Sequence, residues 1–195
     1  MGATWRATQK ARRREELMAA AATLFAERGF AAVSTGDLGD AVGISGPALY
    51  KHFASKDALL EELLTDASER LLEGARRLTA EGLEPQRLLR ELIDFHVDFA
   101  LSEPDIIRLQ DRELAALPDA ANRRIRALQR AYIQLWDEPF ARLQPTLRPD
   151  ERRTTLHAMF GLLNSTPHSA GSSRKRTAAL LARAADAVLS TADAT

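Results

Sequence analysis

The chain has 195 residues, enough to bury a sizeable core as one large domain or two small ones. Its 27 Lys and Arg balance 27 Asp and Glu, and the lack of cysteine excludes disulfides and thiolate metal sites, which fits a reducing compartment. No apolar run approaches the ~18 residues of a membrane helix and the N-terminus lacks a secretory apolar stretch, so no membrane partner is expected and a cytoplasmic location is the default.

The charge is unevenly spread. Met1 to Arg14 holds Arg6, Lys10, Arg12, Arg13 and Arg14 with no acid, so a basic arm opens the chain and any contact with nucleic acid is expected at that end. Period-two alternation is absent while helical periodicity recurs, which predicts an all-α fold of about nine helices. The first spans Arg12–Arg28, with Leu17, Ala20, Ala21, Leu24 and Phe25 as its buried stripe and Gly29 as its stop.

Ser34 to Phe53 then reads as two short helices joined by a tight turn. Ser34 and Asp37 form a capping-box pattern, and Leu38, Ala41 and Val42 supply an apolar face. Gly43 can take the left-handed conformation that ends a helix, Ser45 is placed to cap the next one, and Pro47 falls in its first turn. Leu49 and Phe53 point that second helix into a core and leave Gly46, Ala48, Tyr50, Lys51 and His52 on its outer faces. This is the helix-turn-helix pattern for the DNA major groove.

Ser55 caps a long fourth helix, running to about Ala80 and ending near Glu81-Gly82. Pro85 restarts a helix through Ala100, Pro104 opens a shorter one to about Leu117, and Pro118 marks the next break. A long helix over Ala120–Leu143 contains Pro139, which should kink or interrupt it. Pro145 and Pro149 bracket a loop before a helix over Asp150–Ser165. Thr166–Ser173 reads as a turn, Arg174–Ser190 as the last helix, and the tail after Thr191 as frayed.

His96 and Asn164 are polar groups on otherwise apolar faces and need partners; a pocket supplies them, and a satisfied core histidine is the competing reading. The four histidines show no i, i+4 pairing, so no metal site is expected. Ser165 and His168 lie in a turn, without a nucleophile elbow or a Gly-rich phosphate loop, and no acid/base pair of carboxylates stands out. The chain is therefore not expected to be an enzyme, and no cofactor is implied.

Residues 12–64 resemble the N-terminal domain of the tetracycline-repressor (TetR/AcrR) family of bacterial regulators. The likeness rests on LMAAAATLFAERGF, the Ser34 start, the VGIS turn, LYKHF and SKDALL; the remainder is similar in helix count and order. It implies an N-terminal arm and three-helix DNA-binding head over residues 1–54 and a helical ligand-binding and dimerisation domain over 55–195. The partners implied are a double-stranded DNA operator, a small-molecule effector and a second copy held through the last two long helices. By motif position Thr35, Tyr50, His52 and Lys56 would reach phosphate, while Gly46, Pro47, Ala48 and Lys51 would face base edges. Phe95, His96, Phe99, Leu109, Trp136, Phe140, Met159, Phe160 and Asn164 fall on helices expected to surround the effector.

Some positions depart from the family pattern. Pro47-Ala48 stands where Gly-Thr is common, removing a hydroxyl contact, and Gly39 stands where alanine is usual. With Gly36 it is expected to weaken the second helix, by up to ~1 kcal/mol per glycine. Direct readout is then thin, with a larger share for Lys51, thymine-methyl contacts and DNA shape. The expected function is a ligand-responsive regulator, a repressor released by a small apolar or amphipathic effector such as an acyl-CoA or a lipid. Arg108 and Arg112 could receive an acidic group, with solvated surface arginines as the plain alternative. The competing whole-chain reading is a helical dimerisation scaffold with a weak, non-specific DNA head and no effector.

Overall fold

A computed structural model describes residues 2–169, 171 and 173–190, and the regular elements among the described residues are all helical. In chain order these are α1 (Gly2–Arg28), α2 (Thr35–Ala41), a 3-10 helix at Gly46–Lys51, α3 (Lys56–Ala80), α4 (Pro85–Ser102) and α5 (Pro104–Glu113). A 3-10 turn at Leu114–Ala116 leads to α6 (Asp119–Leu143), α7 (Pro149–Leu163), the single turn α8 (Thr166–Ser169) and α9 (Arg174–Ser190). None of the described helices is long and apolar enough to cross a membrane.

Punctuation explains most boundaries. Ser34 accepts from the Asp37 N–H while the Asp37 carboxylate accepts from the Ser34 N–H at 2.8 Å, completing the expected capping box. Ser55 likewise accepts from the Ala58 N–H and starts α3. Gly29 (φ 85°) and Gly43 (φ 70°) end α1 and α2 in the left-handed region that side chains resist. Prolines open α4, α5 and α7, where the missing N–H has no helical partner to lose.

Several expectations are corrected. α1 begins at Gly2 rather than Arg12, so the basic segment is helical rather than an extended arm. Ser45 precedes the recognition segment without a side-chain cap, and that segment is a 3-10 helix. α6 continues through Pro139, so the proline does not interrupt it. Pro149 belongs to α7 rather than to the loop before it, and Thr166–Ser169 makes a helical turn. The tail after Thr191 lies outside the described residues.

α3 is the hub, packing against α6, α4, α1 and α5. Its first two turns bury Leu59, Leu60, Leu63 and Leu64 against the head, while Leu71, Leu72 and Ala75 go into the body. Trp136 and Phe140 of α6 and Leu92 of α4 are fully enclosed in the body core. Truncating either aromatic to alanine would cost about 3–5 kcal/mol.

Candidate nucleic-acid interface and ligand cavity

The head is tied together by cations from α1 and α3. Arg13 donates to the Val42 carbonyl at 2.7 Å, satisfying the end of α2. Arg14 donates to the His52 carbonyl at the end of the recognition segment, grips the Glu62 carboxylate with two nitrogens, and lies 4.2 Å above the Phe53 ring. Both arginines bond to carbonyls where a helix ends and leaves its acceptors without internal partners. Lys56, in the first turn of α3, donates to the carbonyls of Phe30 and Val33 at 2.8 Å each, with its ammonium 4.3 Å from the Phe30 ring centre. It has three donors, so one remains for another acceptor.

The outer face presents Pro47, Tyr50 and Lys51 to solvent, with Tyr50 56% exposed, a large aromatic left without a core role. Thr35 opens α2 half-buried, and Ala48 and His52 are half-buried beside the recognition segment. The Cβ position of Gly46 faces Thr35 and Gly36 across the turn, 3.2 Å from the Gly36 nitrogen, so this glycine lets the two helices meet backbone to backbone. His52 Nδ1 is buried without a partner. Burial, then the charges of Lys10, Arg14, Arg13 and Lys51, hold its pKa below the ordinary histidine value. The cations near this imidazole, of which Arg13 and Arg14 are paired with Glu16 and Glu62, give a positive field that suits an anion such as phosphate.

The body contains a cavity of about 390 Å³ walled by α3, α4, α5, α6 and α7. His96 of α4 forms one wall, only 3% exposed; its Nδ1 is 3.0 Å from the Tyr132 hydroxyl and its Nε2 3.0 Å from Asn164 Oδ1. Burial pushes the His96 pKa down to about 4, partly offset by the Asn164 contact, so the ring is neutral at physiological pH. The order of donors follows. Asn164 Oδ1 can only accept, so Nε2 carries the proton and Nδ1 accepts from the Tyr132 O–H. Burial raises the Tyr132 phenol, keeping it a donor. Asn164, which lines the cavity, is left with its NH₂ free to donate to a ligand acceptor. The Phe160 ring packs edge-on against His96 at 5.2 Å and against Trp136 at 5.0 Å.

Residues 17–63 match the profile "Bacterial regulatory proteins, tetR family", and residues 82–168 match "Tetracyclin repressor-like, C-terminal domain". The HTH-type transcriptional repressor KstR2 of Mycolicibacterium smegmatis is 31% identical over 150 residues, 73% of this chain and 71% of that protein. The chain belongs to the TetR family. KstR2 of Rhodococcus jostii is 42% identical over 84 residues, 43% of this chain and 41% of that protein, so this match spans about two fifths of the relative's length. The structure of a TetR-family transcriptional regulator from Bordetella parapertussis superposes with a TM-score of 0.78 at 26% identity, over 86% of this chain and 93% of that one. This TetR-family chain is thus a DNA-binding transcriptional regulator, not an enzyme.

Of the residues selected from sequence, His96, Phe160 and Asn164 line the cavity. Leu109, Trp136, Phe140 and Met159 are wholly enclosed in the core and do not line it. Phe95 and Phe99 line a separate cleft beside Arg70 and Glu103, where the Phe95 ring occupies the space a Cβ on Gly74 would take. Sequence reasoning passed over Tyr132, Gln110, Gln129, Arg126 and His157, which also line the cavity. Tyr132 had a signal, lying one helical turn before Trp136 on an apolar face; the others look like solvated helix positions. Arg108 and Arg112, for which an acidic group or plain solvent was expected, donate to the carbonyls of Pro167 and Ala26.

Proposed function

We propose that this TetR-family regulator is a repressor that binds a near-palindromic operator as a homodimer and is released by a small apolar or amphipathic effector. Residues 1–54 act as the DNA-binding head, and residues 55–195 act as the effector and dimerisation domain. The observation that carries this reading is the double role of α3. Ser68 and Leu71 on its body half line the cavity, while Lys56 at its start holds the Phe30 and Val33 carbonyls of the head. A ligand that displaces α3 therefore moves the head with it. Dimerisation through α7 and α9 is supported by Leu180 on α9, 51% exposed, and by Ala158 and Gly161 open to solvent on α7. Such apolar and small positions suit a closely packed helix pair. In the binding state the two recognition segments then sit about one DNA turn apart, ~34–36 Å.

The test is fluorescence-anisotropy binding to the chain's own upstream DNA at several salt concentrations. A specific site with a steep salt slope, lost on adding an amphipathic ligand, is the expected result. Equal affinity for all sequences at every salt concentration would overturn the proposal.

A further inference from the structure

We propose that Arg14 is a positioning residue for operator recognition, fixing the end of the recognition segment to α3 through one guanidinium. This rests on the reading of the head as an operator-specific DNA-binding unit and names a side chain that sets its geometry. The segment itself is weakly held. It is a six-residue 3-10 helix, a form with poorer hydrogen-bond geometry than an α-helix, and Ser45 leaves its start without a side-chain cap.

The end of the segment has an outside anchor. Arg14 Nη1 donates to the His52 carbonyl, Nε to Glu62 Oε1 at 2.9 Å and Nη2 to Glu62 Oε2, while the guanidinium lies 4.2 Å over the Phe53 ring. One planar group thus joins α1, the recognition segment and α3. The neighbouring Arg13 holds the Val42 carbonyl at the end of α2, but its carboxylate partner, Glu16, is on α1 itself. Of these two arginines, it is Arg14 that reaches across to α3.

This arrangement differs from a phosphate contact. Three of the five guanidinium N–H donors are engaged, and the charge is balanced by Glu62. The site uses the fork rather than the charge alone. A lysine would supply the same charge as a compact ammonium, without the planar pair of donors that grips a carboxylate while a third holds a carbonyl. Tyr50 and Lys51 directly precede the anchored carbonyl of His52, so a displaced end moves all three candidate DNA contacts together.

The experiment measures fluorescence anisotropy of the full chain on its upstream operator duplex and on a scrambled duplex, at several salt concentrations. It uses wild type, Arg14→Lys, Glu62→Gln and the double variant, at a temperature where thermal melts show them folded. Arg14→Lys is expected to lower operator affinity about tenfold while leaving scrambled-duplex affinity and the salt slope unchanged. Glu62→Gln keeps the side-chain shape and carries the test if Arg14→Lys does not fold. It removes a negative charge, which alone would strengthen binding to every duplex. Positioning predicts the opposite on the operator, a loss of about threefold or more in the operator-over-scrambled ratio. The double variant is expected to be no worse than Arg14→Lys, because both residues act through one contact. Parallel losses on the two duplexes, a ratio kept by the single variants, or additive losses in the double variant overturn the proposal. A wild type that does not distinguish the duplexes overturns the operator reading as well, whereas a preference that survives the substitutions overturns this proposal alone.

Discussion

A Cβ built on Gly39 would lie 2.6 Å from the Ile44 carbonyl oxygen and 2.9 Å from the Gly46 nitrogen. The middle of α2 therefore sits directly on the turn that leads into the recognition segment, and Gly39 itself is buried. Helix propensity taken alone makes alanine better here by up to ~1 kcal/mol. The contact reverses that sign, because the obstructing atoms are backbone and cannot swing aside. Gly39→Ala is expected to destabilise the protein by about 1–3 kcal/mol and lower its melting temperature by several degrees. A melting temperature equal to or above wild type would show that the turn yields at no cost.

Lys56 and Lys51 separate two kinds of contact. Lys56 holds two carbonyls of the loop between α1 and α2, so Lys56→Ala is expected to cost about 1–2 kcal/mol of stability and to weaken binding to every DNA sequence similarly. Lys51 is exposed at the end of the recognition segment and has no such tie. Lys51→Ala should leave the melting temperature unchanged, reduce the salt slope by about 1, and relax preference at one operator position. Anisotropy titrations against the operator and its single-base variants give both readouts. If Lys51→Ala leaves affinity and preference intact, the recognition segment does not enter the groove as drawn.

These two positions also show what the sequence could and could not reveal. Ser34 with Asp37, Ser55, and the Leu49 and Phe53 pair follow local rules of capping and periodicity, and each does in space what its spacing implies. Gly39 and Gly46 obey a non-local rule, the approach of one backbone to another, which propensity cannot express. Arg13 and Arg14 look like members of a basic arm, yet their guanidiniums reach Val42 and His52, 29 and 38 residues away. The cavity follows the same division. His96 and Asn164 stood out as polar groups on apolar faces. Gln110, Gln129 and Arg126 did not, because a polar residue facing a cavity and one facing solvent have the same helical period.

His96 makes stability depend on pH. Its imidazole is held down at about 4 in the folded protein, against ~6.5 in an unfolded chain, so the unfolded state takes up more protons across that window. The contribution is complete above pH ~6.5 and is lost as pH falls toward 4, about 3 kcal/mol in all. His96→Gln removes the titrating group and keeps a polar side chain between Tyr132 and Asn164. Urea midpoints measured from pH 7 to 5 should fall more steeply for wild type than for the variant. Parallel curves would mean that the buried ring is protonated as easily as a free one.

Arg112 lies on α5 between cavity and head. Its guanidinium donates to the Ala26 carbonyl near the end of α1 at 3.1 Å, and the neighbouring Glu113 accepts from the Phe30 N–H at 3.4 Å. Gln110, Asp111 and the following Leu114 line the cavity. A ligand that pushes on this wall is thus connected to α1 through Arg112 and the Thr23–Asp105 hydrogen bond as well as through α3. Coupling between two sites requires that each ligand bias the same two-state element, and removing a link lowers the coupling free energy without touching either site. Arg112→Ala is therefore expected to leave operator affinity and effector affinity each within about twofold of wild type, while the loss of operator affinity caused by saturating effector shrinks about fivefold or more. The four equilibrium constants of the cycle, with and without each ligand, measure this directly. Undiminished release would assign the coupling to α3 and the other contacts of α5 with α1; a matching fall in effector affinity alone would instead make Arg112 part of the cavity wall.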